Sequence, residues 1–78
     1  MQKKTLNYNG STHRWEIIGE DYEYELHCGN YFEVLIGGQW IRTTIEMRME
    51  NGVGTYYLTT SGLSSLPELA FYGIPVRR

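Results

Sequence analysis

The stretch "FEVLIGGQWIRTTIEM" (Phe32–Met47) decides how this chain is read. A Gly37-Gly38 pair separates two runs in which apolar and polar residues alternate. Favoured two-residue hairpin loops place both residues at positive φ, which glycine adopts without steric cost. With Gly37-Gly38 as the loop, Ile36 faces Gln39, Leu35 faces Trp40, Val34 faces Ile41, Glu33 faces Arg42 and Phe32 faces Thr43. The pairs are coherent. Phe32, Val34, Ile36, Ile41 and Thr43 share one face, and the opposite charges Glu33 and Arg42 meet on the other.

The next turn tests this register. "ENGV" holds Asn51-Gly52, the strongest short hairpin signal. It sets Met47 against Tyr56, Glu46 against Tyr57, Ile45 against Leu58 and Thr44 against Thr59. By the two-residue period of a strand, Ile45 and Met47 then fall on the face of Ile41. Two turns chosen independently thus give one apolar face over three strands, and a one-residue slip would destroy the agreement.

Outward from this meander, "TLNY" (Thr5–Tyr8) and "HRWEIIG" (His13–Gly19) read as strands joined by the turn "NGST". Trp15 and Ile17 share a face. "YEYELHC" (Tyr22–Cys28) alternates, with Tyr22, Tyr24, Leu26 and Cys28 inward against Glu23, Glu25 and His27. Cys28 is expected to be buried as a small apolar side chain. In the tail, Leu66–Tyr72 is expected to form a short helical turn with Pro67 at its first position, Ser64 or Ser65 as cap and Gly73 as its end. "IPVRR" follows as an edge strand, since Pro75 lacks the N–H of a central one. The expected fold is all-β: one domain over residues 1–78, a five- to six-stranded, SH3-like, partly open barrel on an antiparallel meander. A helix-capped curved sheet is the alternative.

At 78 residues, 41% of them hydrophobic, the chain suits one small folded domain. A formal charge of −2 gives no overall basic footprint for nucleic acid. The single cysteine excludes an internal disulfide and a cysteine metal cluster, which favours a reducing compartment. The start "MQKKTLNYNG" has no apolar run behind its lysines, and apolar runs reach only two or three residues, so neither a signal peptide nor a membrane span is expected. The chain reads as cytoplasmic.

Chemistry-bearing constellations are sparse. Adjacent His27 and Cys28 point to opposite faces of a strand and cannot pair directly. No phosphate loop or nucleophile elbow occurs, so no enzyme activity and no cofactor are expected. Glu16, Glu20, Asp21, Glu23 and Glu25 gather five of nine acidic residues into ten positions. They lack the spacing of a calcium loop, and a solvated strand face is the plain reading; an acidic surface that mimics nucleic acid or attracts a basic ligand is the sharper one. Trp40, Arg42, Thr44, Arg48 and Tyr57 project from the outer face of the meander, where aromatics beside arginines stack bases and pair phosphates. Glu33 and Glu46 share that face and offset the arginines. Lys3, Lys4, Arg77 and Arg78 sit at the chain ends and are read as solubility charges. Leu35 and Trp40 lie opposite each other away from the core. They form a protein-binding anchor, or else the N-terminal strands or a second copy cover them; a homodimer would also enlarge a small core.

"LHCGNYFEVLIGGQWIRTTIEM" (Leu26–Met47), with "YYL" (Tyr56–Leu58) and the closing "GIPVR" (Gly73–Arg77), resembles a small family known only as a domain of unknown function. The likeness is carried by Leu26–Leu58. The resemblance implies an origin in Gram-positive bacteria and their phages or mobile elements, and an accessory role. It carries over no catalytic residues. The tail "LSSLPELAFYGIP" (Leu63–Pro75) is longer than the family pattern. Together these readings lead to a small non-enzymatic binding protein that occupies a protein partner, such as a host defence component, through Leu35, Trp40, Arg42, Arg48 and Tyr57. A nucleic-acid-binding small barrel is the alternative, and an acidic mimic or small-ligand sponge a third reading.

Overall fold

The computed structural model describes residues 3–78. It contains β1 (Thr5–Asn9), β2 (Arg14–Gly19), β3 (Tyr22–Glu25), β4 (Tyr31–Ile36), β5 (Gln39–Glu50), β6 (Val53–Leu58), a single 3₁₀ turn (Glu68–Phe71) and β7 (Val76–Arg77). The strands form two antiparallel sheets, ordered β1-β2-β3 and β6-β5-β4-β7, in an open, barrel-like arrangement. Seven strands form, one or two more than expected.

Both hairpin registers agree with the turn chemistry. Leu35 pairs with Trp40 and Glu33 with Arg42 across Gly37-Gly38, and Met47 pairs with Tyr56 across Asn51-Gly52. All four loop residues have positive φ. Past the end of the second ladder, the Thr44 and Thr59 hydroxyls hydrogen-bond at 2.7 Å. Phe32, Val34, Ile45 and Leu58 lie in the core, with Ile36 and Ile41 packed against it. Met47 does not. It is 43% exposed, because β5 and β6 run past the core as a projecting ribbon that also exposes Met49 and Val53. Periodicity fixes which face a residue takes, but not how far the core extends beneath it.

The C-terminal segment departs most from expectation. It is not an edge. On one side, the Leu6 N–H donates to the Ile74 carbonyl, and the Gly73 and Val76 N–H groups donate to the carbonyls of Leu6 and Lys4. On the other, the Leu35 N–H donates to the Pro75 carbonyl, and β7 pairs with β4. The segment therefore stitches β1 to β4 and joins the two sheets. Pro75 takes part through its carbonyl alone, so the reciprocal bond of an antiparallel pair is missing at that position.

β3 ends at Glu25, and Cys28 is exposed in a turn. Asn30 closes that turn, its side-chain oxygen accepting the His27 N–H at 2.8 Å. Pro67 occupies the position just before the 3₁₀ turn, which has no side-chain cap, so neither Ser64 nor Ser65 serves as one. Glu68 does the tethering instead. Its carboxylate accepts the Trp15 indole N–H at 2.9 Å and the Tyr56 backbone N–H at 3.1 Å, covering part of the open β6 edge. Trp15, 1% exposed, is also packed by Tyr8, Phe71 and Tyr72.

Tyr56 closes the same end of the barrel, its hydroxyl donating to the His13 carbonyl at 2.9 Å. Burial raises its phenol above the ordinary 10.0, with Cys28, Tyr8 and Glu68 adding to the rise and Arg14 opposing it. A pKa raised by folding means stability that is complete below the unfolded value and is lost as pH climbs through the folded one. A loss of stability above about pH 10 is therefore expected, and Tyr56→Phe should flatten this limb in a pH series of thermal melts. An unchanged alkaline limb in the variant would assign the loss to another group.

Candidate binding face

β4, β5 and β7 present the outer face. Their outward positions follow from the register: Leu35 opposite Trp40, and Glu33 flanked by Arg42 and Arg77. Trp40 is 37% exposed and Leu35 half-buried. Among the described residues, Lys3 and Lys4 lie alongside this pair. The result is an open groove of about 580 Å³ lined by Lys3, Lys4, Leu35, Trp40, Pro75, Val76 and Arg77. A second groove of about 220 Å³ is lined by Tyr31, Phe32, Glu33, Arg42 and Arg78.

The seam explains why these residues meet. By lying between β1 and β4, the C-terminal segment carries Arg77 and Arg78 to the face that holds Trp40 and Arg42. The neighbouring start of β1 delivers Lys3 and Lys4. At Gly19 an added Cβ would lie 3.1 Å from the Lys4 Cγ; the bare glycine lets that stem pass to the Tyr22 ring, over which the ammonium sits at 4.4 Å. Five of the seven cationic side chains thus line two grooves that hold one carboxylate between them, Glu33. The other two cations share the rest of the molecule with eight carboxylates. A net charge of −2 conceals this separation. Read from the sequence, the terminal cations look like solubility charges, because sequence position does not reveal where chain ends converge.

The face is stiffened from within. Arg77 lies over the Trp40 ring at 4.3 Å, and its Nε donates to Glu33 at 2.8 Å. Arg42 lies over Tyr31 at 4.3 Å and Arg78 over Tyr24 at 3.8 Å. Cation–ring contact of this kind contributes about 0.5–1 kcal/mol at exposed sites.

Other candidates fall elsewhere. Arg48 and Tyr57 stack on each other at 4.7 Å, and Arg48 also reaches the Ser64 carbonyl and Glu50. They lie roughly 25 Å along β5 from Trp40, given a rise near 3.3 Å per residue, and are not part of the groove. Of the acidic candidates, Glu16 is buried at 8% exposure and accepts from the Asn9 side chain at 3.1 Å. Glu25 engages Arg14 and His27. Glu20, Asp21 and Glu23 remain exposed around the β2–β3 turn. Among the described residues, no group of three or more His, Cys, Asp or Glu side chains converges as a metal site. No described helix is long and apolar enough to cross a membrane.

A family model described as "Domain of unknown function (DUF5348)" matches residues 4–77. The chain belongs to that family. The match runs from Lys4 to Arg77, so the DUF5348 domain takes in both strands of the seam and the tail that departs from the resembled pattern. No curated protein and no solved structure matches the chain.

Proposed function

We propose that this protein is a non-enzymatic binding module that occupies an anionic macromolecule through the groove between Lys3–Lys4 and Trp40. One observation carries the reading: a chain with net negative charge places five of its seven cations around two grooves, the larger of them walled by Trp40 and Leu35. Folding costs little for cations spread over a surface, whereas gathering like charges raises their mutual repulsion, which an anionic partner relieves. The expected setting is the cytoplasm of Gram-positive bacteria, with the gene carried by phages or mobile elements. A protein occupant, such as a host defence component, remains a second reading. It is supported by the apolar Leu35–Trp40 pair, since a partly exposed tryptophan beside an aliphatic wall is a common binding anchor.

A photo-crosslinking residue in place of Trp40 tests the proposal in the native host, with the same residue at Leu69 as a control on an exposed part of the 3₁₀ turn. Discrete adducts from position 40 that are absent from position 69 are expected. Digestion of the adducts by nuclease or by protease then classifies the partner. Adducts only to a second copy of the chain, or none from position 40, would overturn the proposal.

A further inference from the structure

Resting on that reading, we infer that the anionic partner of the groove is single-stranded nucleic acid. Charge alone would suit an acidic peptide equally well. The mounting of the charges distinguishes the two. Lys4, Arg42, Arg77 and Arg78, four of the five cations at the grooves, lie over aromatic rings. A guanidinium fixed beside an aromatic ring offers, with that ring, surfaces on which a base stacks, while its N–H groups donate to phosphate. A carboxylate needs the donors but makes no use of those surfaces.

The division of labour among the cations supports the same conclusion. Arg14, Arg48 and Arg77 each have a carboxylate within 4.0 Å. Lys3, Lys4, Arg42 and Arg78 have none among the described residues, and all four line the grooves or reach into them. Arg77, fixed by Glu33, serves as a platform with Trp40. The four unpaired cations are left for phosphates on either side of it. The walls formed by Leu35, Trp40, Pro75 and Val76 enclose enough space for a base.

Duplex is disfavoured by shape. A two-stranded ribbon can enter a major groove, but the ribbon that projects here exposes Met47, Met49, Glu50 and Val53. Its one cation, Arg48, is held by Ser64 and Glu50. The cations line a recess, which admits a flexible strand and excludes a stiff helix.

Fluorescence anisotropy with the full chain tests this, using labelled DNA and RNA single strands of roughly twelve nucleotides, the corresponding duplex, and a poly-glutamate peptide. Single strands are expected to bind at least tenfold tighter than duplex and to quench Trp40 emission. Four phosphate contacts predict a slope of log affinity against log salt near about −3. Lys3→Glu with Arg78→Glu, both at exposed positions, should make that slope shallower by about 1.5. Trp40→Ala should abolish quenching and weaken binding roughly tenfold, with circular dichroism checking that the fold is kept. Binding of poly-glutamate but not of oligonucleotides would overturn the inference while leaving the face as a docking surface for an acidic protein. Equal affinity for duplex and single strand, unaffected by Trp40→Ala, would overturn it too. Failure of every anionic probe at low salt would overturn both the inference and the proposed function.

Discussion

Deleting residues 73–78 is expected to leave the protein unfolded at room temperature. Four backbone hydrogen bonds join this segment to Lys4, Leu6 and Leu35, each worth about 0.5–1.5 kcal/mol net. Val76, 3% exposed, adds burial worth about 1.5–3 kcal/mol. The combined loss, of order 4–9 kcal/mol, rivals the total stability of a chain this size, at about 0.05–0.15 kcal/mol per residue. The seam matters beyond its own bonds, because without it the two sheets keep no strand-to-strand connection at β1 and β4. Circular dichroism and amide dispersion in proton NMR report the outcome. A paired variant, Arg77→Gln with Arg78→Gln, should stay folded, since exposed ion pairs contribute at most about 1 kcal/mol. A cooperative melt of the deletion near that of the intact chain would show that the sheets hold together without the seam.

The second large effect is at Trp15. Trp15→Ala removes a side chain enclosed by Tyr8, Phe71 and Tyr72 and takes the donor away from Glu68. A loss of about 3–5 kcal/mol is expected from the cavity alone. The other tryptophan provides the contrast: Trp40→Ala, on the outer face, should cost about 1 kcal/mol or less. Urea titration of the two variants followed by circular dichroism separates them. Similar midpoints for both would mean that Trp40 is as structural as Trp15, and that its exposure needs no binding partner to explain it.

What could be read from the sequence was local. Gly37-Gly38 and Asn51-Gly52 specify their hairpins through backbone conformation, and each register then extends along its strands by the two-residue period. The core identity of Phe32, Val34, Ile45 and Leu58 follows from these turns alone. Two errors came from extending that period too far. At Cys28 the alternation continues on paper, but "CGN" turns the chain through the Asn30 side chain. At Met47 the face was right and the core had already ended.

The seam was not legible, because nothing near Pro75 signals that it lies between Leu35 and Thr5. The missing N–H correctly argued against an ordinary central strand. It did not exclude a position served by the carbonyl alone. The candidate face inherited the same blindness. Leu35, Trp40 and Arg42 were placed together by one hairpin, whereas Lys3, Lys4, Arg77 and Arg78 join them only through pairing between the two ends of the chain. Arg48 and Tyr57 lie on the predicted face but too far along a strand longer than the groove.

The most direct measurement of the binding face is residue-resolved. Amide shifts recorded while a short single-stranded oligonucleotide is titrated into the ¹⁵N-labelled protein should move at Lys3, Lys4, Leu35, Trp40, Arg42 and Arg77, and stay still at Glu20 and Asp21 and across the Met47–Val53 ribbon. Shifts confined to that ribbon or to the acidic turn, or no shifts at all, would contradict the account.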